Sequence, residues 1–495
     1  MSFSMDKTLS ISFTIILVFT CSCKTELSKK PVSGKVYYIN SETGNDKYPG
    51  TIKKPVKSIS ELNNRIKQKS GSIYFAGGQN FDGTLSLKEI DARDPVPIII
   101  GSYGEGRVVI NGGVKEAVRI ENSVNIHLLD LNLKGMGRKD GNTTNGLQLM
   151  SCSNCVIENI HSEGFQKSGV DLYNCRNVKV LKVQAVNNGF CGINVMGSDR
   201  KLSGNILIQD CKAENNPGDP TILDNHSGNG ILVGVSDSVI IDHCSATNNG
   251  WDMPRLGNGP VGIWAWESDH VTIQYCISYR NKTSKGGKDG GGFDLDGGVT
   301  NSLIQYCLSY ENQGAGYGLF QYAGASGWLN NVIRYCVSIN DANTTEGSGS
   351  FFIWNGSDVS KQLANCYIYN NVAVNSSAPV ISFETASEHE NFFFCNNIFV
   401  GTGHLVSGKN SGSQFTANVW WSPGDSQLYG PLVTDITDPY KLNELKGFIL
   451  KPGSSLRNHG SEIKPAFGFD PATKDFFGNP VPQGSVREPG IFEMD

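Results

Sequence analysis

The sequence predicts an all-β fold, a single right-handed parallel β-helix of about ten coils with a short N-terminal capping helix. Three observations lead to this prediction: one position that is repeatedly cysteine, a repeated glycine-led alternation of apolar residues, and asparagine-rich turns between them. A repeat of this kind is typical of a solenoid, whose coils bury their apolar faces only against their neighbours.

One position of the repeat is small or apolar in most coils. It is a cysteine in five consecutive repeats, each preceded by isoleucine three residues earlier. Successive members are 23 to 35 residues apart, as expected when a constant coil carries loops of variable length. The members are Leu131, Ile160, Val183, Cys211, Cys244, Cys276, Cys307, Cys336, Asn371 and Asn397.

Side chains at this position are predicted to face the interior and to stack from coil to coil. Parallel side chains about 4.8 Å apart do not suit a disulfide, whose Cβ atoms usually lie about 3.8 Å apart. They also do not converge on one point, as metal ligands must. The cysteines are therefore predicted to be free packing residues, although the sequence contains 13 of them.

The other strand of each repeat begins with glycine and alternates with a period of two, as in Gly230-Ile-Leu-Val-Gly234 and Gly262-Ile-Trp-Ala-Trp266. Such a period indicates a strand. An asparagine-rich turn, such as Asn215-Asn216, follows each cysteine strand, which gives three short strands per coil. The blades of a β-propeller run to about 40 to 45 residues, longer than nearly every interval here.

The ends of the chain divide it into four segments. Residues 1–23 are predicted to be a lipoprotein signal peptide with Cys23 as the lipidated residue, and plain secretion is the alternative. Residues 24–36 form a linker, and residues 37–430 form the β-helix with its cap, a helix that begins at the capping box Ser58-Ile-Ser-Glu61. Residues 431–495, where the alternation fades, are predicted to pack on the β-helix.

Composition limits the partners. Charged residues make up 18% of the chain and its formal net charge is −5, which disfavours nucleic acid as a partner. A lipid at Cys23 would place a monomer in the cell envelope, with the N-terminal anchor as its contact with a membrane.

The outward side of the glycine-led strands is rich in aromatic residues beside carboxylates. Aromatic planes stack on the C–H faces of sugar rings while acids bind hydroxyl groups, so this face is predicted to bind a glycan. The alternative is that neighbouring loops cover the rings. The predicted binding residues on these strands are Trp264, Trp266, Phe320, Trp354 and Glu384.

Asp294 and Asp296 are the candidate catalytic carboxyl groups. They lie two residues apart on one strand face, so their Cα atoms are expected about 6.7 Å apart. The pair suits the acid and base of an inverting glycoside hydrolase, ligands for Ca²⁺, or a base in an elimination. A purely structural role in the turn at Gly297 is the alternative.

Cations and proton-transfer groups surround this pair in the sequence. Lys282, Lys285 and Lys288 precede it in one loop, which suggests an anionic substrate whose charge must be offset before an α-proton is removed. Preceding loops carry His226 and Arg255, and Tyr322 follows. His226, Lys288 and Tyr322 are predicted to act in catalysis, and Arg255, Lys282 and Lys285 in substrate binding.

With these features the chain resembles the right-handed parallel β-helix carbohydrate-active proteins that bacteria encode for polysaccharide breakdown, the pectate-lyase-like solenoids. The segment from Tyr37 to Asp46 is similar to the opening segment of these enzymes, and Gly290–Gly298 is similar to a recurrent core motif. The full paired-aspartate pattern of polygalacturonases and the arginine signature of pectate lyases are not found, so neither residue set is transferred.

The resemblance implies one of three functions. The first is a carbon–oxygen lyase that acts by β-elimination on an acidic, uronate-containing glycan and leaves a 4,5-unsaturated uronate, as a polysaccharide lyase or an oligosaccharide dehydratase. Sulfated algal glycans such as ulvan are among the candidate substrates. The second is an inverting glycoside hydrolase that uses Asp294 and Asp296. The third is a non-catalytic glycan-binding surface protein. No cofactor is assigned, and Ca²⁺ is the candidate.

Overall fold

Each complete coil of the chain contributes one strand to each of three long parallel sheets. The computed structural model describes residues 34–68, 70–92, 96–345, 347–385, 387–402, 405–422 and 436–493. Within each sheet, hydrogen-bonded neighbours come from successive coils and run parallel. This confirms the predicted right-handed parallel β-helix.

The first sheet has 14 strands. The second sheet, called the glycine sheet because it contains the glycine-led strands, has 12. The strands of the first sheet are Lys35–Ile39, Gly71–Ala76, Ile98–Tyr103, Ile126–Leu129, Ser153–Glu158, Arg176–Leu181, Gly204–Gln209, Asp237–Asp242, Asp269–Gln274, Leu303–Gln305, Trp328–Arg334, Leu363–Tyr369, Glu390–Cys395 and Ser413–Thr416. The strands of the glycine sheet are Leu85–Lys88, Val118–Glu121, Leu147–Met150, Ser168–Tyr173, Cys191–Met196, Asn229–Gly234, Val261–Trp266, Gly291–Leu295, Tyr317–Gln321, Phe351–Asn355, Ile381–Thr385 and Val406–Ser407.

The third sheet has 13 shorter strands. They are Asn80–Asp82, Val108–Gly113, Leu131–Gly135, His161–Glu163, Gln184–Val186, Lys212–Glu214, Ser245–Thr247, Ile277–Tyr279, Leu308–Tyr310, Val337–Ile339, Val372–Asn375, Ile398–Gly401 and Val419–Trp421. Inward side chains of all three sheets form one apolar core along the axis.

The repeated cysteine position lies at the turn between the first and third sheets. All ten of its members are at most 1% exposed, and the five consecutive cysteines are free. The backbone N–H of Cys211 donates to Sγ of Cys244, and that of Cys244 donates to Sγ of Cys276, both at 3.4 Å. The prediction of a stack of buried, unbridged thiols is confirmed.

A second stack lies where the chain leaves the third sheet for the glycine sheet. Nδ2 of Asn249 donates to Oδ1 of Asn281 at 2.9 Å, and Nδ2 of Asn281 donates to Oδ1 of Asn312 at 3.0 Å. The stack ends at Asp341, which accepts from Nδ2 of Asn312 at 2.8 Å. These side chains are fully buried, so each coil is tied to the next by satisfied polar groups.

The two ends of the β-helix are covered. The helix Ile59–Gln68 begins with Oγ of Ser58 accepting the N–H of Glu61 at 3.2 Å, and it buries Leu62 and Ile66 against the first coils. In residues 436–493 two short 3₁₀ helices, Pro439–Glu444 and Lys446–Phe448, belong to an apolar layer over outward tyrosines of the first and third sheets.

Cys23 and the predicted signal peptide lie outside the described residues, so lipidation stays a prediction. Within the described ranges, none of the helices has the length and the apolar character that crossing a membrane requires.

Candidate functional site

The outward side chains of the glycine sheet form rows along the axis, because neighbouring strands pair in strict register. In one row Asp171, Asn194, Leu232, Trp264 and Asp294 follow one another. Asp294 then pairs with Gly318, and Gly318 pairs with Phe352. Phe320 therefore belongs to the neighbouring row, where it pairs with Trp354.

Trp264 is covered and does not stand open to solvent, contrary to the expectation from the sequence. Its side chain is 3% exposed, and its Nε1–H donates to Oδ1 of Asn229 at 3.1 Å. The ring of His226 lies edge-on against it, with 4.8 Å between the ring centroids. The loop at residues 220–228 thus covers this part of the sheet, and loop coverage leaves no periodic signal in the sequence.

Trp266 is half-buried at the end of its strand. A Cβ atom at Gly234, the neighbouring position of its row, would lie 2.5 Å from Nε1 of Trp266. The missing side chain at Gly234 therefore makes room for the indole ring. The Nε1 atom of this ring is buried and has no hydrogen-bond partner within the described residues.

Asp294 is a buried carboxyl group that lacks a full set of partners. It is 2% exposed, and its Oδ1 has no hydrogen-bond partner within the described residues. Burial, with the charges of Asp296 and Asp289, raises the pKa of Asp294 well above its usual value. Its neighbour Gly318 has no side chain, and a Cβ there would lie 3.0 Å from Oδ1. This environment favours the protonated form of the carboxyl group more than an exposed position would.

Asp296 is half-buried at the end of the same strand. Burial and the charges of Asp289 and Glu267 raise its pKa to about 7, although Oδ1 accepts the N–H of Gly297 at 2.7 Å. The Tyr322 ring lies against Gly297, and burial with the charges of Glu267 and Asp296 raises the pKa of Tyr322. Two carboxyl groups and a phenol, all with raised pKa values, thus lie close together on one face.

Glu267 and Arg200 support the turn that carries Asp296, and sequence reasoning missed both. Arg200 donates to the carbonyl of Glu267 at 2.6 Å and to that of Gly298 at 2.7 Å, and it forms an ion pair of 3.1 Å with Glu267. Glu267 also accepts the N–H of Ser326 at 2.7 Å. Both residues lie in turns, where no periodicity marks a functional position.

Asp289 is a further carboxyl group that the sequence analysis did not select. Burial raises its pKa to about 6, although the N–H of Gly259 and the charges of Lys288 and Arg255 lower it. It contributes to the raised pKa values of Asp294 and Asp296. Three aspartates therefore share one weakly solvated region.

His226 is half-buried and neutral at physiological pH. Burial and the charge of Arg255 lower its pKa to about 4. Its Nδ1 lies 3.1 Å from Nδ2 of Asn229. Because that amide nitrogen only donates, the neutral imidazole carries its proton on Nε2. Nε2–H of His226 can therefore donate a hydrogen bond. Its Nδ1 already accepts one from Asn229, which disfavours a catalytic role for His226 as a base.

The structure separates the three lysines that the sequence had grouped. Lys282 lines a groove beside the third sheet together with Tyr279 and Arg280, whereas Lys285 and Lys288 are exposed. Lys288 and Arg255 affect the pKa of Asp289, so the positive charge near the aspartates comes from these two residues. A loop has no fixed period, and its sequence does not show which way each side chain faces.

The remaining predicted binding residues extend the face downstream. Phe320 is 9% exposed and contacts Trp354 edge-on, with 6.3 Å between the ring centroids. Trp354 is half-buried and pairs in register with Glu384, which is exposed. These residues prolong the row that contains Trp266 and Asp296.

A group of potential metal ligands lies elsewhere, on the outer side of the first sheet. Ligand atoms of Asp237, Asp269 and His270 all lie within 4.8 Å of one another. His270 Nδ1 is 3.0 Å from Asp269 and 3.6 Å from Asp237, so the three side chains form a partly exposed polar cluster. Binding of Ca²⁺ at Asp294 and Asp296 stays a prediction.

Comparisons with known proteins agree with this architecture. A family model described as a right-handed β-helix region matches residues 138–207. The structure is similar to the GH136 lacto-N-biosidase from Eubacterium ramulus, with a TM-score of 0.50, 15% identity, and coverage of 72% of this chain and 67% of that one. It is also similar to XylC in its complex with xylose, with a TM-score of 0.53, 9% identity, and coverage of 93% and 98%.

No curated protein sequence matches the chain. At these low sequence identities, the similarity to the solved structures shows a shared backbone fold. The chain is a right-handed parallel β-helix protein.

Proposed function

We propose that the protein is a carbohydrate-active enzyme whose outward glycine-sheet face removes the substituent at C4 of a uronate residue by β-elimination. The observation that carries this proposal is that Asp296, with a pKa of about 7, lies on one face with Asp294 and Tyr322, whose pKa values burial and neighbouring carboxyl groups also raise. Groups whose environments move their pKa values apart are suited to distinct acid and base roles.

The proposed reaction assigns one proton to each group. Asp296, which titrates near neutral pH, takes the proton at C5 of the uronate. The C4–O4 bond breaks as the C4=C5 double bond forms, and the phenol of Tyr322 gives its proton to the leaving oxygen. If that oxygen belongs to a sugar, the enzyme is a polysaccharide lyase; if it is a hydroxyl group, the enzyme is a dehydratase.

The substrate carboxylate must lose part of its negative charge before its α-proton is removed. A protonated Asp294 serves this need as a hydrogen-bond donor, and Arg255 and Lys288 supply positive charge beside Asp289. Lys282 and Lys285 have no part in this charge neutralisation, because Lys282 lines the groove beside the third sheet and Lys285 is exposed. Trp266, on the neighbouring row, offers a plane for an adjoining sugar.

Glycoside hydrolysis is the second candidate. A protonated Asp294 and an Asp296 that titrates near neutral pH match the acid and base of an inverting enzyme. The lacto-N-biosidase and the xylose complex among the similar structures add support for a carbohydrate substrate. Tyr322 has no necessary part in that reaction, which favours elimination.

The deciding experiment identifies the product. The full chain is incubated with uronate oligosaccharides, and ultraviolet absorbance and mass spectrometry follow the products. We expect a new conjugated double bond, and Tyr322→Phe is expected to lower the rate at least about a hundredfold. Tyr74→Phe, at a half-buried tyrosine of the first sheet, is the matched control. New reducing ends without absorbance would establish the hydrolase instead, and binding without turnover would leave a glycan-binding protein.

We further propose that the enzyme is exported and anchored in the cell envelope through a lipid on Cys23. The apolar run before Thr20-Cys21-Ser22-Cys23 supports this proposal. Mass spectrometry of the protein purified from membranes tests it, since an unmodified N-terminal peptide that still contains residues before Cys23 would contradict it.

A further inference from the structure

A polar groove runs along the turns by which the chain leaves the third sheet. Its cavity volume is about 750 Å³, within the range of small-ligand sites. Its lining runs from Thr247 to Ser377 through five successive coils. Four steps of about 4.8 Å give it a length of about 19 Å, enough for several sugar rings in an extended chain.

The floor of the groove is rigid. Asn281, Asn312 and Asp341 lie directly beneath its lining and are fully buried in the hydrogen-bonded stack described above. Several lining residues, such as Lys282 and Asn340, are neighbours of these stack residues in the sequence. The stack therefore holds their backbone in place. A preorganised site loses less entropy when a ligand binds.

The groove combines an aromatic ring with positively charged and amide groups. Tyr279 stacks on Tyr310 with 4.7 Å between ring centroids. Arg280 uses Nε to bind Glu311 at 2.7 Å, and the other N–H groups of its guanidinium add donors. Lys282 is half-buried and forms no ion pair within the described part of the chain. Gln313 and Asn343 add amide groups to the wall.

We propose that this groove is a second, non-catalytic binding site for a segment of an acidic oligosaccharide. The inference rests on the proposed carbohydrate function for the class of ligand, but not on the reaction. The amide groups suit hydroxyl groups, the Tyr279 ring suits a sugar face, and Lys282 suits a carboxylate or sulfate. Glu311 in the wall and the net charge of −5 disfavour a nucleic acid, whose phosphates are denser.

The test is calorimetric titration of the full chain with a polygalacturonate hexasaccharide and with the same hexasaccharide after reduction of its carboxyl groups. Lys282→Ala is expected to remove one binding equivalent or to weaken it at least about tenfold, as for the loss of one charge-assisted hydrogen bond. Lys212→Ala, at an exposed lysine of the same sheet outside the groove, is expected to change nothing. Asp294→Asn is expected to leave the groove equivalent intact.

Two results would overturn the proposal: Lys282→Ala binding the acidic hexasaccharide as tightly as Lys212→Ala does, or the reduced hexasaccharide binding as tightly as the acidic one. Since the titration needs no turnover, it is independent of the product assay. An enzyme without β-elimination activity can still pass this test, and an active one can fail it.

Discussion

Two aspartates on the same outward row of the glycine sheet, Asp171 and Asp294, differ in how their oxygens are used. Both are buried, at 8% and 2% exposure, and burial raises the pKa of both. The carboxylate of Asp171 accepts from Nδ2 of Asn194 at 2.7 Å and from Nε2 of Gln148 at 3.3 Å. Asp294 has Trp264 and Gly318 as row neighbours, and its Oδ1 remains without a partner in the described structure.

The difference shows that two carboxyl groups with similar burial can differ in how their oxygens are hydrogen-bonded. Donated hydrogen bonds stabilise the charged form of Asp171 and oppose the effect of burial. At Asp294 no such bond opposes it, and a buried polar atom without a partner is an exception that demands an explanation. The proposed function offers one, a substrate group that completes the hydrogen bonding of Asp294.

The largest expected effect concerns Trp264, which lies between the two aspartates in the row. Trp264→Ala is expected to lower the free energy of unfolding by about 3–5 kcal/mol, because it empties a closed site. Trp266→Ala is expected to lower it by about 1 kcal/mol and to weaken substrate affinity up to about tenfold. Urea denaturation and substrate titration measure the two quantities. Equal stability losses would show that Trp266 is also a packing residue.

The comparison of the aspartates is tested directly by replacing each with asparagine. Asp294→Asn is expected to reduce turnover at least about a hundredfold, because the amide has no acidic proton to offer. Asp171→Asn is expected to cost about 1–3 kcal/mol of stability, because one of its two amide donors then faces another donor. Its turnover is expected to change less than about threefold. A reversed pattern would move the reactive centre to Asp171.

The pH dependence sharpens the role of Asp296. A base must be deprotonated, so kcat/KM is expected to rise with pH through about 7, the pKa of Asp296. Glu267→Gln removes a negative charge that raises this pKa, and the rise is expected to move to lower pH by roughly half a unit to one unit. Asp171→Asn serves as the control with an unmoved profile. A shift to higher pH in Glu267→Gln would contradict the assignment.

The smallest expected effect is that of Lys285, which is exposed on the loop before the aspartates. Lys285→Ala is expected to change kcat/KM less than about twofold at moderate ionic strength, because solvent and salt screen its charge. Arg255→Ala is expected to have the larger effect, since this half-buried cation acts on both His226 and Asp289. Steady-state rates on one uronate oligosaccharide compare the two.

The parts of the fold that depend on periodicity could be predicted from the sequence. The repeated cysteine position marks the turn between two sheets. In the structure each cysteine follows a residue in the left-handed region, with φ of 49° to 57° at Asp210, His243, Tyr275, Tyr306 and Tyr335. The alternation of the glycine-led strands likewise assigns Asp294 to the outward side, since a period of two has no other reading in a strand packed on one face.

The site itself could be predicted only where it lies on strands. The strand Tyr317–Gln321 starts with tyrosine, whose ring packs inward between Phe293 and Phe351. Gly318 therefore lies in the row of Asp294, and Phe320 lies in the row of Trp354. Arg200 and Glu267 meet across 67 positions of sequence through turns that have no repeat. Contacts of this kind depend on loop conformation. The sequence gives the length of each loop but not the position of its side chains.

The hydrogen-bonded stacks inside the coils also bear on how such a protein changes in length. Each stack residue bonds to its equivalent one coil away, as Asn216 does to Asn249 and Asn371 does to Asn397. A duplicated coil would therefore find a donor and an acceptor at both of its boundaries. It would move every downstream side chain by about 4.8 Å along the axis without turning it. A coil inserted after the strand Tyr317–Gln321 would thus lengthen the distance between Trp266 and Trp354 and leave the coils that contact Asp294 and Asp296 unchanged.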